Sequence, residues 1–133
     1  METFNVRTAS RTDLKDMTDQ VAEAVARAGV QKGVCVVSVP HTTAGVTINE
    51  NADPSVRDDI ESALDRLVPW SAGYSHSEGN AAAHIKAALL GHSVLVPVEG
   101  GRLALGTWQG VYFCEFDGPR TRKVHVQLVA EVP

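Results

Sequence analysis

The stretch His76–Gly91, HSEGNAAAHIKAALLG, decides the fold because it passes from a polar loop into an alanine-rich segment that ends at a glycine. Alanine has high helix propensity and little bulk, so this segment is predicted to form a helix that packs close to another backbone. Gly91 is expected to end the helix, since glycine takes the left-handed conformation without steric cost. A helix that begins near Asn80 puts Asn80 and His84 four residues apart on one face. This loop-to-helix corner is therefore the expected centre of a functional site.

Composition limits the class of protein. The chain has 133 residues, of which 44% are hydrophobic, and this suits one domain, residues 1–133, with a real core. Its formal net charge of -4 argues against a nucleic-acid-binding protein. No segment approaches the roughly 20 apolar residues of a membrane helix, and no signal-peptide core is evident at the N-terminus. Cys35 and Cys114 lie in apolar runs and are expected to be buried thiols, which favours a soluble cytoplasmic domain.

Two further helices are predicted upstream of the alanine-rich one. Ser10–Asp13 offers helix-start residues, and apolar side chains then recur at helical spacing as far as Gly29: Leu14, Met17, Val21, Ala24, Val25 and Ala28. Asp53 and Pro54 are expected to be the cap and first residue of the next helix. The core face of that helix is predicted to be Val56, Ile60, Ala63, Leu64 and Leu67.

The remaining apolar runs indicate strands, which are rich in β-branched residues: Phe4–Ala9, Gly33–Val39, Val46–Asn49, Ser93–Val98, Leu103–Leu105, Gly110–Phe116 and Thr121–Val129. Glu99–Arg102 is predicted to be a hairpin turn, and Asp117–Arg120 a tight turn. Short turns between late strands predict antiparallel neighbours. The expected fold is therefore α+β, with largely antiparallel sheets layered with about three helices.

Three histidines from separate segments are candidates for chemistry. His41, His76 and His84 suit a zinc site with an open fourth position, although no known zinc spacing is present. Structural histidines held by hydrogen bonds are an equal alternative, and acid–base catalysis by histidine needs no metal.

Polar residues also gather where a strand gives way to a helix. Asn49, Glu50 and Asp53 lie at such a junction. Asp53 is better explained as a helix cap than as a ligand, and Glu50 suits a base, a metal ligand or a solvated surface residue.

The last turn brings together charged residues. Glu115 lies in the apolar run VYFCEF, and a buried carboxylate needs a partner, for which Arg120 or Arg122 is expected. Such a pair is structural, or it holds arginine ready for a phosphate. For Asp117, the sequence likewise leaves open whether the residue is structural or functional. Trp108 is expected to pack in the core, with a pocket or interface as the alternative.

Three long stretches carry a resemblance to a known family: HTTAGVTINENADPSVRDDI, HSEGNAAAHIKAALLG and LALGTWQGVYFCEFDGPRTRKV. They resemble the YjbQ-type family, which is known as secondary thiamine-phosphate synthases. The resemblance implies an α+β homotrimer with a polar cleft near the subunit contacts. It places family histidine and carboxylate positions at His41, Glu50, Asp53, His76 and His84, and a late acidic-basic segment at Glu115, Asp117, Arg120 and Arg122.

The activity linked to that family joins hydroxymethylpyrimidine diphosphate to thiazole phosphate and releases diphosphate. His41, His84, Glu50 and Asp53 are the expected catalytic residues. Arg120, Arg122 or a divalent metal (zinc or magnesium) would stabilise the leaving diphosphate, and Asn49 or Asn80 would contact the aminopyrimidine. The alternative function is a trimer that binds a metal or small ligand without significant synthase activity.

Overall fold

A computed structural model describes all residues from 1 to 133 as eight strands and three helices. In chain order they are β1 (Glu2–Arg7), β2 (Asp13–Asp16), α1 (Thr18–Ala28), β3 (Lys32–Ser38), β4 (Ala44–Glu50), α2 (Pro54–Leu67), α3 (Ala81–Leu90), β5 (Ser93–Glu99), β6 (Arg102–Leu103), β7 (Gln109–Glu115) and β8 (Thr121–Ala130).

The strands form two antiparallel sheets. A five-stranded sheet has the order β1-β8-β3-β5-β6, and a three-stranded sheet has the order β2-β7-β4. The main hydrophobic core includes Val37, Val46, Phe113 and Val126, with Val21 from α1. The α+β prediction, with antiparallel sheets and three helices, is confirmed.

The prediction that the last two long strands pair with each other is wrong. β7 lies in the small sheet and β8 in the large one, so the turn Asp117–Arg120 carries the chain from one sheet to the other. Both edges of β7 are already occupied, by β2 and by β4, so no edge is left for β8. The Gly118–Pro119 peptide in this turn is cis.

The first helix begins later than its apolar spacing predicts. Leu14 belongs to β2, where it pairs with Cys114, and α1 starts only at Thr18. The expected helix start at Ser10–Asp13 is thus wrong, because pairing with β7 outweighs the local capping residues. The carboxylate of Asp16 accepts the backbone N–H of Thr18 at 2.9 Å instead.

The second helix has its expected start, and Ile60 and Leu64 of its expected core face pack against the smaller hydrophobic cluster, which includes Tyr112 and Phe116. Asp53 caps α2 by accepting the N–H of Ser55, and Pro54 is its first residue. No residue of α2 is buried, however, and Leu67 is 74% exposed. Trp108 is 61% exposed, so its expected place in the core is also wrong. Apolar surface therefore remains uncovered on this single chain.

The third helix packs closely on β4, as its small side chains predict. Ala82, Ala83 and Ala87 are buried. The carbonyl of Gly91, which follows the helix with φ of 91°, accepts the N–H of Val46 at 3.0 Å. This contact fixes the end of α3 against β4 of the small sheet.

Candidate functional site

Three connections meet in one polar cavity of about 360 Å³. They are the loop between β3 and β4, the start of α3, and the turn between β7 and β8. Apart from Pro40, every lining residue is polar or charged: His41, Thr42, Thr43, Glu78, Asn80, His84, Asp117, Arg120 and Arg122. The cavity therefore suits a small charged or strongly polar ligand rather than an apolar one.

A buried ion pair forms the inner wall. Nε of Arg122 donates to Oε1 of Glu115 at 2.8 Å, and its Nη2 donates to Oε2 of Glu115 and to Oγ1 of Thr43. The side chain of Glu115 is fully buried and that of Arg122 is 6% exposed. Burial alone would raise the pKa of Glu115, but hydrogen bonds from Arg122, Asp117 and Thr8 lower it below its ordinary value. The predicted pairing of Glu115 with an arginine is confirmed.

The second arginine is paired at the rim. Nε of Arg120 donates to the carbonyl of Asp117 at 2.7 Å, and its Nη2 donates to Oδ2 of the same residue at 3.0 Å. Its side chain is 53% exposed. Nη1 of both Arg120 and Arg122 has no partner in the chain, so each guanidinium keeps donors for a ligand.

His41 is oriented by the backbone of β8. Its Nε2 accepts the N–H of Lys123 at 2.9 Å, so in the neutral ring the proton lies on Nδ1. Burial and the positive charge of Arg122 lower the pKa of His41 below its ordinary value of 6.5. At neutral pH this side chain is therefore an uncharged hydrogen-bond donor.

The other two histidines lie side by side, but only one lines the cavity. His84, on the first turn of α3, meets the exposed His76 edge to face, with ring centroids 5.3 Å apart. Nowhere do three or more histidine, cysteine, aspartate or glutamate side chains form a group that could hold a metal. His41, His76 and His84 are thus not arranged as a three-histidine zinc site here.

The strand-to-helix junction does not join this cavity. Asn49 and Glu50 lie at the far end of β4, whose six steps from Ala44 span about 20 Å. Oδ1 of Asn49 accepts the N–H of Glu50 at 2.7 Å, and Asp53 caps α2. The structure therefore brings together His41, Asn80, His84, Arg120 and Arg122, and it leaves Asn49, Glu50 and Asp53 apart.

The sequence left the role of Asp117 open, and it assigned no binding or catalytic role to Glu78 or Thr43, yet all three line the cavity. The amide Nδ2 of Asn80 donates to Oε2 of Glu78 at 3.1 Å and to Oδ2 of Asp117 at 2.9 Å. Glu78 lies only two residues before Asn80, so its place in the site could have been inferred from the sequence. The place of Asp117 could not, because it depends on the crossing between sheets.

Comparisons with known proteins agree with this architecture. Residues 2–131 match the family model described as UPF0047 protein YjbQ-like. UPF0047 protein YugU of Bacillus subtilis is 46% identical over 97% of this chain and 98% of its own. A crystal structure from Clostridium acetobutylicum, described as an uncharacterized conserved protein of the YjbQ/UPF0047 family, is 50% identical with a TM-score of 0.95, over 97% of this chain and 100% of the other.

A more distant relative preserves the same fold. A YbjQ-like protein of unknown function from Sulfolobus solfataricus is 34% identical, covers 98% of this chain and 96% of its own, and superposes with a TM-score of 0.94. None of the three helices is long and apolar enough to cross a membrane.

Proposed function

The chain belongs to the YjbQ-like UPF0047 family, and from this membership and its polar cavity we propose that it is a transferase of the thiamine-phosphate synthase type. It would join hydroxymethylpyrimidine diphosphate to thiazole phosphate and release diphosphate. One observation carries the proposal. His41, His84, Asn80, Arg120 and Arg122, from segments far apart in the chain, line a single cavity with donors for a phosphorylated ligand.

The chemistry of the reaction defines what the site must supply. The lone pair of the thiazole nitrogen forms a C–N bond to the methylene carbon of the pyrimidine. The bond from that carbon to the diphosphate oxygen breaks, and its electrons leave with diphosphate. No proton has to be removed for this substitution, so the main demands are orientation and stabilisation of the leaving group.

The cavity residues suit those demands better than they suit general base catalysis. His41 offers a neutral Nδ1–H donor, and the unpaired Nη1 groups of Arg120 and Arg122 suit phosphate oxygens. His84 adds an imidazole on the first turn of α3. In this proposal these four side chains bind the diphosphate.

The substrate rings need a different surface, because the cavity offers them no apolar wall. We propose that the chain forms a homotrimer, and that apolar surface at the subunit contact lies beside the cavity mouth. On the outer face of the large sheet, Val34, Leu95 and Val129 are 37%, 67% and 54% exposed. Val34 pairs directly with Val129, so the patch is continuous, and such patches mark association surfaces.

The direct test is turnover. Purified protein is incubated with hydroxymethylpyrimidine diphosphate and thiazole phosphate, and thiamine phosphate and released diphosphate are measured together. His84→Ala is expected to lose most of the activity, while the matched control His92→Ala, at an exposed histidine outside the cavity, keeps it. Equal activity of the two variants, or no product from the wild type, would overturn the proposal.

A second candidate is a small-ligand-binding trimer without significant synthase activity. It is favoured by the open cavity wall, which is polar or charged apart from Pro40, since sites for reactive intermediates exclude water. Calorimetric titration with inorganic diphosphate separates the two functions, because binding without turnover supports this candidate alone.

A further inference from the structure

A second cavity, of about 460 Å³, lies beside α3 and apart from the polar cavity. Lys86 of α3 lines this second cavity and His84 lines the first. Two residues of a helix span about 200° of rotation, so these side chains leave α3 on nearly opposite sides. The residues that line the second cavity are Arg11, Thr12, Asp65, Pro69, Trp70 and Lys86, and none of them lines the first. The two cavities are therefore separate sites, and what the second one binds does not depend on the proposed function.

Lys86 is a buried cation with donors to spare. Its side chain is only 4% exposed, and its Nζ donates to Oδ1 of Asp65 and to no other atom of the chain. A lysine ammonium has three N–H donors, so two of them have no protein acceptor. Burial of a charged group is costly unless the group is well paired, and Asp65 is a weak partner because its side chain is 60% exposed. A further acceptor in the second cavity would complete the bonding of Lys86.

Arg11 is a second cation, and an aromatic ring holds it in place. Its Cζ lies 4.0 Å from the centre of the Trp70 ring, which itself packs against the smaller hydrophobic cluster. Contact with the face of an indole orients a guanidinium without using its N–H donors. Arg11 forms no ion pair in the chain, and its backbone carbonyl accepts the N–H of Gly118 at 3.1 Å. The guanidinium is thus oriented in advance, with its donors available to an anion.

The charges and walls of the second cavity define the class of ligand. Two cations, Arg11 and Lys86, face one carboxylate, that of Asp65, so the lining carries a net charge of 2 − 1 = +1. This balance suits a monoanion better than a diphosphate. A planar carboxylate also matches the planar donors of arginine. The volume falls within the range of roughly 300–1,000 Å³ that is usual for small-molecule sites, and Pro69 and Trp70 offer ring surfaces to an organic group.

We infer that the second cavity binds a small organic carboxylate. The carboxylate group accepts hydrogen bonds from Lys86 and Arg11, and the organic body lies against Pro69 and Trp70. Asp65 competes with the ligand, because both are carboxylates that accept from the same ammonium group. Removal of the charge of Asp65 should therefore tighten binding, which is not expected if the Asp65–Lys86 pair only joins two helices.

The test uses Trp70 as its reporter and sodium benzoate as its probe. The chain has two tryptophans, and Trp108→Phe removes the one that is exposed and lines neither cavity. Benzoate is titrated into this single-tryptophan protein at constant ionic strength, and the indole N–H resonance of Trp70 is followed by NMR. A saturable shift with a dissociation constant of about 1 mM or below is expected for a ligand of this size.

Three variants in the same background identify the site. Lys86→Met keeps a long buried side chain without the charge and is expected to weaken benzoate binding about 10-fold or more. Asp65→Asn keeps an oxygen that can accept from Lys86 but removes the competing charge, and it is expected to tighten binding about 3-fold or more. Arg66→Gln is the matched control, because it removes an exposed charge next to Asp65 but outside the second cavity, and it should bind as the parent protein does. Circular dichroism checks that each variant is folded.

Four results would overturn the inference. They are the absence of a saturable shift at Trp70, benzoate binding by Lys86→Met that equals that of Arg66→Gln, no gain in affinity in Asp65→Asn, and tighter binding of inorganic phosphate than of benzoate. The last result would assign the second cavity to a phosphate instead. Each measurement is made without the substrates of the proposed synthase reaction, so failure of that reaction leaves this test unaffected.

Discussion

The α-carbon of Gly45 lies so close to the carbonyl of Gly91 that a Cβ on residue 45 would come within 2.6 Å of that oxygen. Gly45 is in β4, and Gly91 follows the end of α3. This approach sets the distance between helix and sheet. Because Asn80 and His84 are carried by the start of the same helix, it also sets their position in the cavity.

Gly45→Ala is therefore expected to destabilise the protein by about 1–3 kcal/mol, because the added methyl group forces α3 away from β4. Urea denaturation at neutral pH measures the loss. Gly106→Ala is the matched control, since its Cβ would meet only the Gln109 side chain at ordinary distances, and it should change stability by less than about 1 kcal/mol. Equal stability of the two variants would contradict the role of this contact.

Removing one partner of the buried pair Glu115–Arg122 is expected to lower the free energy of unfolding far more than removing one partner of any exposed ion pair. Glu115→Leu or Arg122→Met leaves one charge buried without its partner, so each is predicted to cost about 3–5 kcal/mol of unfolding free energy. The double variant should lose clearly less than the sum of the two, because it leaves neither charge unpaired. Chemical denaturation of all four proteins gives the coupling energy.

An exposed ion pair supplies the comparison for this double-mutant cycle of Glu115 and Arg122. Nε of Arg27 and Oε1 of Glu2 form an ion pair at 2.7 Å, but both side chains are solvent-accessible. Glu2→Gln is expected to cost no more than about 1 kcal/mol. Additive losses within the Glu115–Arg122 cycle would show that the buried pair does not act as a unit.

The sequence predicts those parts of this fold that depend on local chemistry. Alanines and a terminal glycine predict α3, and Asp53 with Pro54 predicts the start of α2. The errors arise where tertiary pairing decides. Leu14 fits a helical spacing but is used in β2, and the turn after Glu115 looks like a hairpin but crosses between sheets.

The site residues likewise divide into those that local chemistry predicts and those that tertiary structure decides. His41, Asn80 and His84 could be predicted because polar residues at element ends stand out from an apolar background. The exclusion of Asn49 and Glu50 could not, because a strand has two ends and sequence alone does not say which end faces the helix start. The role of Asp117 also depends on the path from β7 to β8, which no local pattern contains.

The exposed patch on the large sheet leads to a prediction about assembly. Leu95→Glu places a charge in the patch formed with Val34 and Val129, and it should dissociate the proposed trimer. Light scattering coupled to size-exclusion chromatography should give three times the chain mass for the wild type and one chain mass for the variant. Ala22→Glu, on the exposed side of α1, should leave the wild-type mass unchanged. A wild type of one chain mass would remove the trimer.

His41 links the cavity to stability at mildly acidic pH. Its pKa is lowered by burial first and then by the charge of Arg122, while Glu115 acts in the opposite direction and His125 adds a smaller lowering. The unfolded chain therefore binds a proton at this histidine more readily than the folded chain does. By linkage, the stability that this difference provides is fully present above pH 6.5 and is lost as the pH falls through the lower, folded-state pKa.

His41→Gln is expected to remove this part of the pH dependence. The glutamine side chain keeps an oxygen that can accept the N–H of Lys123, but it cannot take up a proton. Between pH 7.5 and about 5.5, the free energy of unfolding should therefore fall less steeply in His41→Gln than in the wild type. Urea titrations at several pH values measure the slope. His92→Gln should keep the wild-type slope, because it leaves His41 in place. If His41→Gln and the wild type show the same slope, protonation of His41 does not limit stability. The acid sensitivity then comes from other groups. Glu115, whose pKa is lowered, contributes only near and below its ordinary value of 4.5.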